Sequence, residues 1–132
     1  KATPFEHRSF GEELILCQRY FYAHADGTIG MNKSIGSGTY YGSGTIYMTI
    51  HPPVTMRATP TLETTSGTNH YIAFGDGTSD HFDTFTLGST ASSPTSFELS
   101  ASTNVSNTQG IGTFARLGGT TNTAKIFFSA EL

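Results

Sequence analysis

The chain has 132 residues, of which 13% are charged, and a formal net charge of −3. That length fits one domain able to bury a core of its own, and the charge content is well below that of an average globular chain. Seven scattered Lys and Arg leave no basic footprint for nucleic acid, the single Cys excludes an internal disulfide or a Cys-based zinc cluster, and no apolar run approaches the roughly 20 residues of a membrane-spanning helix.

Residues 13–22 (ELILCQRYFY) carry the densest apolar content in the chain and read as its strongest strand. Split by alternation, Leu14, Leu16, Gln18, Tyr20 and Tyr22 share one face, while Ile15, Cys17, Arg19 and Phe21 share the other. Both faces are mostly apolar, which predicts a strand covered on both sides, with Cys17 a buried, inert thiol. Gln18 and Arg19 then need buried partners. Arg19 is expected to clamp Glu131 or carbonyls near the chain end, and Gln18 to tie down a loop.

The next stretch, 24–44, is rich in Gly and Ser and contains a six-residue repeat, IGSGTY at 35–40 and YGSGTI at 41–46. Two copies do not make a solenoid, and the turn chemistry predicts turns in one mobile loop or a hairpin. Alternation returns with Ile46, Met48 and Ile50, and His51-Pro52-Pro53 ends that strand. Residues 54–63 read as another extended run, with Pro60 arguing for an edge or a bulge. Residues 70–74 form a strand bounded by Gly75-Asp76-Gly77, and Phe82, Phe85 and Leu87 mark the next, with a change of phase between the first two. Residues 88–96 are a loop. Phe97, Leu99 and Ala101 alternate, and strands at 111–117 and 125–132 close the chain across a Gly-Thr-rich linker at 118–122. About eight strands with frequent turn signals predict an all-β, two-sheet antiparallel β-sandwich of jelly-roll type. The expected organisation is a single domain over residues 1–132. Its start at Lys1, without an initiator Met or signal pattern, predicts a part of a longer protein.

Few residues suggest chemistry. The histidines His7, His24, His51, His70 and His81 stand in different segments with no pair at ligand spacing. Asp76, Asp80 and Asp83 crowd around Gly77, which suits calcium chemically but lacks the EF-hand spacing, and a hairpin turn is the preferred reading. There is no G-x-S-x-G elbow, and Glu12 and Glu13 would point to opposite faces of a strand, so no catalytic residue and no cofactor is expected. The aromatic and polar groups at expected loops are a different matter. Tyr40, Tyr41, Asn69, His70 and Asp80 are the expected ligand contacts, able to stack on and hydrogen-bond a sugar.

Three blocks also carry a resemblance: 13–21 (ELILCQRYF), 56–61 (MRATPT) and 130–132 (AEL). They resemble a pattern, ELxxCQRYF … MRATPT … AEL, of C-terminal domains in phage and prophage tail-fibre and virion-surface proteins. The resemblance implies a non-enzymatic β-sandwich on a virion, a homotrimer if it caps a fibre, whose partners are other virion proteins and a host cell-surface glycan or protein. It carries no catalytic residue. A capsid-decoration or assembly module is the alternative, and a glycan-degrading enzyme a more distant one.

Overall fold

The computed structural model describes residues 8–118 and 123–131. His7, the 119–122 part of the expected linker and Leu132 lie outside them. In chain order the elements are α1 (Phe10–Gln18), β1 (Phe21–Asp26), β2 (Ser34–Gly42), β3 (Thr45–Ile50), β4 (Thr61–Thr64), β5 (Tyr71–Gly75), β6 (Thr78–Phe82), β7 (Thr86–Leu87), β8 (Phe97–Ala101), β9 (Gly112–Leu117) and β10 (Lys125–Ser129). The strands form two antiparallel sheets, β1-β10-β4 and β6-β5-β9-β2-β3-β8-β7. β1 pairs with β10, β2 with β9, β3 with β8 and β5 with β6, while β4 lies against β7 without a hydrogen-bonded ladder. First thus meets last throughout, as in one long hairpin rolled up on itself, which is the jelly-roll wiring of a β-sandwich.

The core forms where both sheets turn their alternate residues inward. Ile46, Met48 and Ile50 of β3 and Phe97, Leu99 and Ala101 of β8 are buried in the phase that the sequence predicts, and Ile126 and Phe128 of β10 are buried with them. Phe97 and Phe128 meet across the sandwich with ring centroids 4.4 Å apart. Each such side chain contributes about 1.5–3 kcal/mol by leaving water. The β5–β6 hairpin turns at Asp76 and Gly77, both at positive φ (53° and 69°), the signature of a type I′ turn whose twist suits the flanking strands.

The opening stretch differs most from expectation. Residues 10–18 are a helix, and only Phe21 onward is strand. The local reason is a capping box: the Ser9 hydroxyl accepts from the Glu12 N–H, and the Glu12 carboxylate accepts from the Ser9 N–H. Glu12 and Glu13 in the first turn also suit the positive end of the helix. No residue of α1 is buried, so Cys17 is exposed rather than packed away. Arg19 is exposed as well, and among the described residues its guanidinium makes no ion pair with Glu131 and the Gln18 amide makes no hydrogen bond. Main chain takes over the anchoring. The Arg57 N–H donates to the Arg19 carbonyl (2.9 Å), the Ala130 N–H donates to the Tyr20 carbonyl (2.7 Å), and the Arg57 guanidinium lies over the Tyr20 ring. The three sequence blocks therefore meet at one corner of the sandwich.

Other boundaries move too. There are ten strands among the described residues rather than about eight, because residues 78–87 split into β6 and β7 and the Gly-Ser-rich stretch supplies β2. Of the extended run 54–63, only residues from Thr61 join a sheet, although Met56 is buried and its N–H donates to the Pro94 carbonyl. The first GSGT unit is part of β2 rather than a loop, and the second makes the β2–β3 hairpin.

Among the polar links between the sheets is one made by His24. His24 of β1 faces the Ile35 carbonyl of β2 with Nε2 and the Tyr22 hydroxyl with Nδ1 (3.0 Å). A carbonyl can only accept, so Nε2 carries the proton and Nδ1 accepts from Tyr22. Burial holds the His24 pKa below its ordinary value of about 6.5. The unfolded chain then binds more protons than the folded one below about pH 6.5, and stability falls as pH drops through that window. Denaturant midpoints measured from pH 7.5 to 5.5 are expected to decline in the native chain and to decline less in His24→Gln. Equal slopes would show that His24 is not the titrating group.

Candidate functional site

The inward face of the seven-stranded sheet is core, and the outward face is open. Register places its outward residues in rows across the strands. One row runs Ser79, Phe74, Phe114, Ser37, Thr49 and Glu98, from β6 through β5, β9, β2 and β3 to β8. The next row along the strands runs His81, Ile72, Arg116 and Ser34.

Phe74 and Phe114 stack at 4.9 Å with their planes 19° apart, and Phe114 keeps 44% of its surface exposed. The Arg116 guanidinium lies 5.1 Å from the Phe74 centroid and 5.4 Å from that of Phe114. Beside this pair opens a trough of about 840 Å³, lined by Ser37, Gly112, Ser79 and the Asp76-Gly77-Thr78 turn as well as by both rings. Gly112 borders its open space: a methyl group there would meet no non-neighbouring atom within 4 Å. A second trough shares Ser37 and Gly38 and reaches Tyr47 and Glu98. The face thus combines flat apolar rings with hydroxyls, a carboxylate and bare backbone, the chemistry needed to stack on the C–H face of a sugar and bond its hydroxyls.

The expected ligand contacts fall in different places. Tyr40 is fully buried in the core, with its hydroxyl on Asp80 Oδ2 (3.2 Å), and cannot touch a ligand. Asp80 also accepts from the Ser106 N–H and serves as an anchor for that loop. Tyr41 alone joins the outward face, 73% exposed and edge-on to Tyr47 at 5.5 Å. Asn69, at φ 56°, donates its N–H to Asp83 Oδ1, and the adjoining His70 has its Nδ1 buried without a hydrogen-bond partner among the described residues. Both precede β5, at the end of that strand opposite the Asp76-Gly77 turn.

Asp83 also accepts from the Asn104 amide, and Asp76 from the Thr108 hydroxyl, so the three carboxylates considered for calcium each bond a neighbouring loop. Among the described residues no group of three or more His, Cys, Asp or Glu gathers as a metal site.

Sequence reading missed Phe74, Phe114 and Arg116. A signal was present in GTFARL: Phe114 alternates in phase with Gly112 and Arg116, whereas Thr113, Ala115 and Leu117 form the buried set. A Phe in phase with an Arg belongs on the wet face. No protein-family model, no curated protein and no solved structure matches this chain.

Proposed function

We propose that this chain is a non-enzymatic receptor-binding module of a bacteriophage tail fibre, displayed on the virion as a homotrimer, which contacts a bacterial surface glycan through the outward face of its seven-stranded sheet. The observation that carries this reading is the Phe74–Phe114 platform beside a polar trough on a rigid sheet. The three-block resemblance supports the viral setting. Phe114 is the anchor in this reading. Phe114→Ala is expected to weaken attachment of the labelled protein to its bacterial host by about 2 kcal/mol, roughly thirtyfold, the size of an interface hot spot. The side chain is partly exposed, so the melting temperature should stay within a few degrees of native. Undiminished attachment by a folded Phe114→Ala protein would refute the site.

A second reading, a virion-assembly module bound to another viral protein, draws on α1. Phe10 is 83% exposed, and Leu14 and Ile15 also face water. A helix of this length is marginal without packing, and clustered apolar residues commonly mark a protein contact. Immunogold labelling on heads rather than tails would favour this second role.

A further inference from the structure

The outward face is asymmetric in charge. The row of His81, Ile72, Arg116 and Ser34 contains no carboxylate. The acids of the face stand elsewhere, Asp76 at the hairpin turn and Glu98 on β8, five strands from β6 and three from β9. Arg116 is exposed, and among the described residues it makes no ion pair. Two ring contacts hold it instead, at 5.1 and 5.4 Å.

That arrangement leaves something unspent. Stacking on Phe74 and Phe114 restrains the guanidinium, so less side-chain freedom remains to be lost when it binds. Stacking uses the face of the planar group and leaves its edge N–H donors, whose fork matches a carboxylate. A ring resting on Phe114 would carry its substituents one row along the strand, toward Arg116. An exposed cation, pre-positioned beside an aromatic platform and lacking an anion of its own, fits a ligand that brings the anion with it.

We infer that the glycan recognised by this face is acidic: a sugar ring stacks on Phe114 while its carboxylate takes the edge of the Arg116 guanidinium. This rests on the reading of the face as a glycan site and adds the chemical class. The polar trough on the other side of the rings, with Ser37, Ser79 and Asp76, then receives the hydroxyls of the same or the next sugar. Arg116 sets specificity in this scheme, and Phe114 supplies contact area shared by acidic and neutral sugars.

The test uses oligosaccharides of galacturonic, glucuronic and sialic acid, each paired with the same chain after its carboxyls are reduced to alcohols, together with an array of neutral glycans. Titration calorimetry and array binding are read for the native protein, Arg116→Ala and Arg116→Lys. The expected result is that one acidic series binds about tenfold to a hundredfold more tightly than its reduced partner, the range of a hydrogen bond to a charged group. Arg116→Ala should abolish that difference between the acidic chain and its reduced partner. Arg116→Lys should restore only part of it, because a point charge lacks the fork. Equal binding of acid and reduced chains, a preference for neutral glycans, or an acid preference that survives Arg116→Ala would overturn this inference and leave the glycan site standing. Binding to none of the acidic, reduced or neutral chains would overturn both.

Discussion

Tyr71→Ala is expected to lower the free energy of unfolding by about 3–5 kcal/mol, the range for removing a large buried aromatic ring. Tyr71 has no exposed surface, and its ring meets Phe82 at 5.8 Å and Phe85 at 5.0 Å. Its hydroxyl adds a polar bond between the sheets. From β5 in the larger sheet it reaches Thr64 Oγ1 of β4 (2.6 Å), the Thr65 carbonyl (2.7 Å) and the Lys125 carbonyl of β10 (3.1 Å). Against a total stability of about 5–15 kcal/mol for a typical domain, losing both contributions would leave much of the population unfolded on warming. Tyr71→Phe separates the two. It keeps the ring and removes the donor, which should cost about 1–3 kcal/mol because the Thr65 carbonyl is left short of a partner. Urea unfolding at constant m-value measures both variants. A cost for Tyr71→Phe no larger than that of a surface change, about 0.5 kcal/mol, would show that the hydroxyl does not tie the sheets together.

The second large effect lies in the GSGT repeat. Gly38 sits on the inward side of β2 between Thr113 of β9 and Met48 of β3. A methyl group there would collide with the Tyr47 carbonyl oxygen and stand 2.7 Å from the Met48 Cβ. The obstacle is backbone, so no side-chain rotation relieves it. Gly38→Ala is therefore expected to destabilise by the upper end of the about 1–3 kcal/mol typical of overpacking, or more. Gly112→Ala is the control: it points to open solvent on the other face and should stay within about 0.5 kcal/mol of native. Similar melting temperatures for the two variants would show that the close approach at Gly38 is not a constraint.

These two positions illustrate how much of the molecule was legible beforehand. The alternation of Ile46, Met48 and Ile50, and of Phe97, Leu99 and Ala101, states a strand and its buried face without reference to any partner. Gly38 is the opposite case. In the sequence it looks like turn chemistry, because the tightness that demands a glycine comes from β3 alongside. The same holds for Tyr40, expected at a loop surface and found with its whole surface buried. Residues 10–18 failed for a local reason instead. The S-x-x-E capping box at Ser9–Glu12 was present, but a dense apolar run invites a strand reading, and nine residues are too few to display a clear helical period.

Composition and alternation by themselves determined the all-β class, the two-sheet sandwich and most of its inward-facing residues, because burial imposes a period of two on any half-buried strand. Tertiary structure alone decided which strands are neighbours, and hence which outward residues share a row. Phe74 and Arg116 are 42 positions apart in the chain, yet they meet because β5 and β9 pair at one particular register. The candidate site is made of such pairings, and a pairing between distant strands leaves no trace in the local pattern of either one.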